Sequence, residues 1–214
     1  MIIDVHTHIL PGMDDGSKCP EESLAMLREE ARQGVTHVVF TPHYYAHQNS
    51  PSEFLKRRET AWRWLQPMLT PDLPIPCFGA EVQYFEGICL VPDLKDLRIQ
   101  GTRYLLLEMP FQPWSVRAIQ DALELNARPD IQVILAHIER YFKFAPREAW
   151  QIFRENGVMT QCNASIFLNW KTRGKAVHMW NQGQIDMLGS DCHNMTTREP
   201  NLVKAFPYIS KQSH

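Results

Sequence analysis

The sequence predicts a parallel α/β fold in which seven short strands alternate with helices. Short apolar runs rich in β-forming residues alternate with longer segments of helical period along the chain. No repeat or low-complexity linker divides it, and 214 residues with 44% hydrophobic content suffice for one well-formed core. We therefore expect a single domain over residues 1–214, and seven strand–helix steps favour a closed or nearly closed barrel over an open sheet.

The strand candidates are short apolar runs rich in Val, Ile, Leu and Tyr. In chain order they are Ile2–His6, Thr36–Thr41, Ile75–Glu81, Tyr104–Glu108, Val133–His137, Val158–Asn163 and Ile185–Ser190.

The clearest helix candidate is Pro20–Gln33. Leu24 and Leu27 share one face, the leading proline suits a first turn, and Gly34 suits the exit. The segment Glu86–Thr102 has no clean period and is predicted to be loop with some short helix. The other helix candidates are Ser52–Met68, Val116–Ala127, Pro146–Asn156 and roughly Thr172–Gln182.

Composition argues against several classes of protein. With 22 basic and 24 acidic residues the net charge is -2, which gives no electrostatic reason to expect nucleic acid or an anionic membrane as a partner. No apolar run could span a bilayer, and the first residues read as a strand and not as a signal peptide. The 5 cysteines never form a Cys-x-x-Cys pair, so reduced thiols in the cytoplasm are expected.

Nearly every predicted strand ends in a side chain that can bind a metal ion. In a barrel the carboxyl ends of all strands converge on one face, so these side chains are expected around one pocket. They are His6 and His8, His43, Glu81, Glu108, His137, and Asp191 with His193.

Spacing supports a metal cluster. His6 and His8 are two residues apart, so both imidazoles project from one side of an extended strand, and Asp191 and His193 repeat the arrangement. Each pair could hold one ion or reach two adjacent ions. Imidazole and carboxylate ligands without a required thiolate favour manganese, iron or zinc.

A lone histidine at a strand end is usually a hydrogen-bonded polar residue, and we interpret His37, His47 and His178 in that way. Six strand ends that all bear ligands instead predict a cluster of metal ions.

An ordered set of segments resembles the polymerase and histidinol phosphatase (PHP) superfamily. The resemblance is closer to its branch of manganese-dependent bacterial protein-tyrosine phosphatases from capsule and exopolysaccharide operons. The matching segments are DVHTHILPGMDDGSK, EESLAMLREEARQGVTHVVFTPHY, GAEVQY, YLLLEMP, VILAHIERY, QCNAS and LGSDCHN.

This resemblance implies a distorted (β/α)7 TIM-like barrel with three divalent metal ions, manganese by family and iron or zinc as alternatives. It assigns the first ion to His6, His8, Glu81 and Asp191. It assigns the second to Asp15, His43 and His193, with Asp15 favoured over its neighbour Asp14. It assigns the third to Glu81, Glu108 and His137, with Glu81 bridging.

The resemblance also implies hydrolysis of phosphotyrosine on a protein, with a bacterial tyrosine kinase of polysaccharide biosynthesis as partner. Arg140 and Arg198 match the family's two phosphate-binding arginines, and a guanidinium makes paired hydrogen bonds to phosphoryl oxygens. Bound ions lower the pKa of water from 15.7 to about 7, so a metal-bridging hydroxide is expected to attack phosphorus. If an acid protonates the leaving group, we expect a carboxylic acid or a water molecule near Asp15 or His193 to do so. The oligomeric state stays open.

Three alternatives to this function remain at this point. Cys192 and Arg198 spell the Cys-x5-Arg spacing of thiol-based tyrosine phosphatases, but the loop between them has no glycine and Asp191 would raise the thiol pKa. The same superfamily includes histidinol phosphatases and broader phosphoesterases. A non-catalytic metal-binding regulator is a third alternative.

Two further segments are left open by the sequence. The polar side chains of Gln161–Ser165 could support the pocket, or the segment could be only a strand-to-loop turn. Ile138 occupies a position where the family often has proline.

Overall fold

The computed structural model describes residues 1–209, and every strand pairing in that range is parallel. The strands are β1 (Ile3–Thr7), β2 (His37–Phe40), β3 (His43–Tyr44), β4 (Ile75–Phe78), β5 (Glu81–Gln83), β6 (Tyr104–Glu108), β7 (Gln132–Leu135), β8 (Met159–Asn163) and β9 (Met187–Gly189).

The α-helices lie between these strands or after the last of them. They are α1 (Pro20–Arg32), α2 (Pro51–Leu65), α3 (Val116–Asn126), α4 (Arg147–Glu155), α5 (Ser165–Leu168), α6 (Arg173–Asn181) and α7 (Phe206–Ile209). Short 3-10 helices occupy Gln66–Met68, Ile88–Leu90, Pro92–Leu97, Ile138–Tyr141 and Leu202–Ala205.

The strands pair in the orders β1-β2-β4 and β3-β5-β6-β7-β8-β9. Backbone hydrogen bonds cross the short gaps between β2 and β3 and between β4 and β5. Gly79 N donates to Phe40 O (2.9 Å), and Glu81 N donates to Pro42 O (3.1 Å). β3 therefore continues β2, and β5 continues β4, after a brief interruption.

The first and last strands meet at their carboxyl ends. Thr7 forms a parallel bridge with Cys192. His8 N donates to Cys192 O (2.9 Å), and Asp191 N donates to His6 O (2.8 Å). The parallel sheet is therefore curled, and residues from the two chain ends lie side by side where the ligand candidates cluster.

The seven predicted strands are confirmed, but Ile75–Glu81 is split into β4 and β5, and β3 lies beyond the predicted end of Thr36–Thr41. Pro42 lacks the N–H that a continuous ladder needs, which explains one break. The five predicted helices are confirmed to within three residues at each end. The predicted Ser52–Met68 helix instead begins at Pro51, which follows a Ser50–Glu53 capping box, and its last turn is a 3-10 helix that contains Pro67.

Alternate strand residues pack on two apolar faces. On the outer face Val38 and Phe40 belong to the main core, while Val39 lies in a small inner cluster with Leu106 and Ile134. Strands that are buried on both faces have nearly continuous apolar sequences, and the predicted strands of this chain have such sequences. Glu108 follows Leu106 by two residues, so the inner cluster leads directly to the ligand candidates.

Among residues 1–209, no helix is both long enough and apolar enough to cross a lipid bilayer.

Gly189 is a position where a side chain cannot be added without movement. A Cβ there would lie 2.7 Å from His6 Cβ and 3.0 Å from Gln161 Nε2. We expect Gly189→Ala to lower the free energy of unfolding by about 1–3 kcal/mol, because β9 must move away from β1. Urea unfolding followed by circular dichroism measures this change.

Gly174→Ala in α6 is the matched control, because a Cβ there meets nothing within 4 Å. Its stability should be unchanged or raised by up to about 1 kcal/mol. Equal unfolding free energies for the two variants would contradict the close contact between β9 and β1.

Candidate metal centre

The nine predicted ligands lie together at the carboxyl end of the curled sheet. Seven of them are buried, while His43 is 12% exposed and Asp15 is 65% exposed in their side chains. The site is thus a mostly buried cluster that opens to solvent near Asp15. The seven buried residues are His6, His8, Glu81, Glu108, His137, Asp191 and His193.

Glu81 is at the centre of the cluster. Its Oε2 lies 3.2 Å from His6 Nε2, 3.2 Å from His8 Nε2 and 3.0 Å from His43 Nδ1. Its Oε1 lies 2.8 Å from His137 Nε2. One carboxylate therefore faces four imidazoles with both of its oxygens, as a carboxylate shared between adjacent cations would.

The other carboxylates extend the cluster on either side. Asp191 Oδ1 lies 3.5 Å from the Nε2 atoms of both His6 and His8. Asp15 Oδ1 lies 3.3 Å from His193 Nε2, and Glu108 Oε1 lies 3.5 Å from His137 Nε2.

Within this cluster, three groups of potential ligand atoms each fall within 4.8 Å of one another. They are His6, His8 and Glu81; His8, Asp15, His43 and His193; and His43, Glu81 and Glu108. These groups overlap with the expected ligand sets but are not identical to them. His8 joins the second group, and His43 takes the place of His137 in the third.

Hydrogen bonds fix which ring nitrogen faces the cluster. His6 Nδ1 donates to Gln161 Oε1 (3.1 Å), and His8 Nδ1 donates to Asp14 Oδ2 (2.7 Å). His193 Nδ1 lies 3.0 Å from the carbonyl oxygen of Asp191, which can only accept. In each ring the Nε2 lone pair is then left to point toward the carboxylates, which is the arrangement typical of metal-binding histidines.

Several buried polar atoms in the cluster have close polar neighbours but no hydrogen bond of acceptable geometry. Among the described residues these include His43 Nδ1, Glu81 Oε2 and His193 Nε2. Buried polar atoms are almost always hydrogen-bonded, so three such atoms in one cluster require another partner. Imidazole nitrogens and carboxylate oxygens suit manganese, iron or zinc. The residues present therefore fit divalent cations.

The electrostatics of the cluster also suit cations. Burial alone would raise the pKa of Glu81, but the neighbouring imidazoles lower it well below its usual value, so the carboxylate stays ionised. Burial opposes charge on His8, but Asp14 and Glu81 raise its pKa to about 10, so a cation that binds Nε2 must displace the proton that this nitrogen otherwise carries. Burial and the nearby His8 lower the pKa of His193 to about 3, which leaves that imidazole neutral as a ligand must be.

Two predicted ligands have an unusual backbone conformation. His137 has φ 31° and Asp191 has φ 54°, and within residues 1–209 no other non-glycine residue has positive φ. This left-handed region is costly for residues with a Cβ, and such conformations concentrate at functional sites. In both cases the turn comes directly after a strand and directs a side chain into the cluster.

Both predicted phosphate-binding arginines lie at the edge of the cluster. Their side chains are 36% and 34% exposed, and Arg140 contacts Asp191 Oδ2. Arg198 Nη2 lies 2.7 Å from Asp191 Oδ1, and its Nη1 lies 3.9 Å from Asp15 Oδ2. The two guanidinium groups therefore converge on one carboxylate from the solvent side.

The structure shows a supporting role for the segment Gln161–Ser165, which the sequence left undecided. Gln161 Oε1 accepts a hydrogen bond from His137 N (2.7 Å) as well as from His6. Asn163 Nδ2 donates to Asp191 Oδ2 (2.8 Å). The amide side chains therefore orient three of the predicted ligands, and the polar residues at the end of an apolar strand were the available signal.

Asp14 has a role that the sequence did not reveal. Its Oδ2 accepts from His8 Nδ1 and from His43 N (2.8 Å), so it orients two ligands, while the adjacent Asp15 faces His193. The sequence identified Asp14 only as a neighbour that could be confused with Asp15.

Cys192 is unsuited to the thiol mechanism. Its side chain is fully buried, and its Sγ lies 3.9 Å from Glu30 Oε1. Burial, together with the carboxyl groups of Glu30 and Asp4, raises the pKa of the thiol well above its usual value. A nucleophilic thiolate needs the opposite environment.

Comparisons with known proteins agree with these observations. A sequence profile of the family described as "Capsular polysaccharide synthesis, CpsB/CapC" matches residues 2–214. Tyrosine-protein phosphatase CpsB of Streptococcus pneumoniae is 29% identical over 222 residues, which cover 99% of this chain and 90% of that protein. Tyrosine-protein phosphatase YwqE of Bacillus subtilis (strain 168) is 29% identical over 223 residues, which cover 99% and 85%.

The fold is similar to that of a solved structure from work described as "Crystal structures of YwqE from Bacillus subtilis and CpsB from Streptococcus pneumoniae, unique metal-dependent tyrosine phosphatases". The TM-score is 0.80 at 24% sequence identity, and the match covers 99% of this chain and 87% of the other. The chain therefore belongs to the CpsB/CapC family of capsular polysaccharide synthesis, the branch of the PHP superfamily that its ordered sequence segments predict.

Proposed function

We propose that this chain is a metal-dependent phosphatase that hydrolyses phosphotyrosine on proteins. The observation that carries the proposal is the convergence of four imidazoles on Glu81, with Arg140 and Arg198 at the open side of the same cluster. The family relatives CpsB and YwqE are named tyrosine-protein phosphatases, and the similarity extends over 99% of this chain.

We assign three divalent ions to the cluster, manganese first, with iron and zinc as alternatives. The ligand sets are those that the PHP resemblance implies: His6, His8, Glu81 and Asp191; Asp15, His43 and His193; and Glu81, Glu108 and His137. Glu81 supports this assignment because both of its oxygens face imidazoles. Such ions would supply a water of lowered pKa and positive charge against the phosphoryl oxygens.

The side chains at the open edge hold the phosphate and the leaving group. The guanidinium groups of Arg140 and Arg198 approach from the solvent side and would pair with phosphoryl oxygens. Asp15 and His193 lie 3.3 Å apart, and Asp15 is the most exposed of the predicted ligands. A water near either residue could protonate the departing oxygen, and a phenolate needs this less than an alkoxide because its pKa is about 10.

Aromatic side chains border the cluster and favour an aryl substrate. Phe111 is 47% exposed, and its ring stacks on His137 at 5.8 Å between centroids and 23° between planes. Tyr45 stacks on His43 at 5.2 Å and 22°. The sequence suggested Tyr45 as a residue at the edge of the pocket, but it did not identify Phe111. We assign Phe111 as an apolar wall for the phenyl ring of phosphotyrosine, because aromatic rings pack favourably together.

Further parts of the proposal rest on the family resemblance and composition. The partner would be a bacterial tyrosine kinase of polysaccharide biosynthesis, and the reaction would take place in the cytoplasm. The curled sheet would be the distorted (β/α)7 barrel in one domain over residues 1–214. The contact of β1 with the segment after β9 supports this proposal.

A histidinol phosphatase or a broader phosphoesterase is the second candidate function, because these enzymes belong to the same superfamily.

The first prediction concerns the cluster itself. His8→Ala and Glu81→Ala should each lower the hydrolysis of 4-nitrophenyl phosphate with manganese by more than about 100-fold, because each side chain contacts several other ligands. Steady-state kinetics and metal analysis of the purified variants measure the effect. His37→Ala is the control, since His37 begins β2 at the opposite end of the sheet. Turnover like that of the wild type in Glu81→Ala would refute the mechanism.

The second prediction separates metal chemistry from thiol chemistry. Cys192→Ser should keep hydrolysis within about threefold of the wild type, because the buried thiol does not face the open side of the cluster. Initial rates with 4-nitrophenyl phosphate are the measurement, with Cys192→Ala as a second variant of similar size. Loss of activity in both folded variants would support the thiol mechanism instead.

The third prediction tests the aryl wall. Phe111→Ala should lower kcat/KM for a phosphotyrosine peptide by about 2- to 10-fold, which corresponds to the 0.5–1.5 kcal/mol typical of an aromatic pair. Hydrolysis of the matched phosphoserine peptide and of histidinol phosphate should change little. Phe111→Leu, which keeps an apolar side chain, should lie between the wild type and the alanine variant. An equal loss on all three substrates would mean that Phe111 only supports His137.

A further inference from the structure

A second cavity lies on the outside of the sheet, away from the metal cluster. It has a volume of about 810 Å³ and is bordered by helices α4 and α6. Its residues include Phe153, Val158 and Met179, which form a buried apolar floor. None of the nine predicted ligands borders it. We call it the α4–α6 groove.

The charge that borders the α4–α6 groove is positive. Arg147, Arg154 and Lys175 are exposed there, and none of them takes part in the arginine and lysine ion pairs found within residues 1–209. The one carboxylate of the lining, Asp186, accepts hydrogen bonds from Thr160 N (2.7 Å) and Thr160 Oγ1 (3.0 Å). Three cations thus face the groove without a carboxylate partner.

Aromatic side chains form the wall beside these cations. Phe142 and Trp150 pack edge to face at 6.0 Å between centroids, and both are half-buried. Lys175 Nζ lies 3.6 Å from the centroid of the Phe142 ring. The aromatic contact holds this ammonium group at the wall of the groove.

One short segment connects the groove with the proposed phosphate site. Ile138 and Phe142 border the groove, while Arg140 between them contacts Asp191 on the other side. A ligand in the groove would therefore lie against the same segment that presents a phosphate-binding arginine.

The spacing of the cations indicates the shape of the ligand. Arg147 and Arg154 are seven residues apart on α4, so they share one face and are separated by about 10 Å at 1.5 Å per residue. One phosphate group can contact both only if the two long side chains bend toward each other. An extended peptide covers the same distance in about three residues, at 3.3–3.6 Å each. A linear series of carboxylates therefore matches these charges better than a compact anion.

We propose that the α4–α6 groove binds an acidic peptide segment of the phosphotyrosine protein. The proposal rests on the function proposed above, since it assigns the groove to the same substrate. The three cations attract the acidic side chains, and the aromatic wall packs against the apolar parts of the segment. The groove thus selects among phosphotyrosine proteins by residues outside the reacting group.

The experiment compares three substrates: 4-nitrophenyl phosphate, a phosphotyrosine peptide with neutral flanks, and the same peptide with an acidic segment. The variants are Arg154→Glu, Lys175→Glu and their combination. Lys56→Glu on α2 is the matched control, because it is exposed and makes the same change in charge outside the groove.

We expect each groove variant to raise KM for the acidic peptide by about three- to tenfold, with less effect at high salt. The values of kcat and the hydrolysis of 4-nitrophenyl phosphate should stay the same. An equal rise in KM for Lys56→Glu, or no preference of the wild type for the acidic peptide, would overturn the proposal.

Binding of a fluorescein-labelled acidic peptide without phosphotyrosine separates the two proposals. Fluorescence anisotropy should show that the labelled peptide binds to the wild type and not to the combined variant. An unlabelled acidic peptide should displace the labelled peptide from the wild type, whereas an ATP–manganese complex should not. Failure to hydrolyse 4-nitrophenyl phosphate would overturn the proposed function even if this binding is seen. Displacement by the nucleotide complex instead would identify a nucleotide site and overturn the peptide assignment.

Discussion

The structure depends on the concentration of ionisable groups at one end of the sheet. Burying a carboxylate without a partner is far more costly than burying a hydrogen-bonded amide. Glu81, Asp191 and Glu108 are nevertheless buried together, each within 3.6 Å of an imidazole nitrogen. Their negative charge must be balanced from within, by imidazolium groups, guanidinium groups or bound cations. This requirement explains why histidines surround every buried carboxylate of the cluster.

The parallel sheet meets this requirement because of its geometry. Side chains two residues apart share a face, so the apolar inner cluster of the strands continues directly into ligand positions. Where a strand ends, His137 and Asp191 adopt positive φ, which turns their side chains inward at some cost in backbone energy. Gln161 then restrains both His6 and the backbone of His137. The site is therefore held by backbone hydrogen bonds and by amides that do not themselves bind cations.

The sequence predicted the features that depend on local pattern. Strand positions followed from apolar runs, and the ligand candidates followed from polar residues at the ends of those runs. The missed features depend on contacts between distant segments. The role of Asp14 requires knowing that His8 and His43 lie beside it, and the exposure of Phe111 depends on how its loop packs. The α4–α6 groove likewise combines side chains from two helices whose spacing no local pattern encodes.

The meeting of the first and last strands has a consequence for how the protein is made. His6 is synthesised long before Asp191, whose amide donates to the His6 carbonyl across 185 residues of sequence (191 − 6). A nascent chain can pair β1 with β2 early, but it cannot complete the cluster until β9 and the segment after it are available. Closure of this contact spans almost the whole sequence, which makes it a slow, late step of folding. A cation that needs ligands on both sides of this contact would bind only after the contact has closed, and it would therefore stabilise the finished fold and not its intermediates.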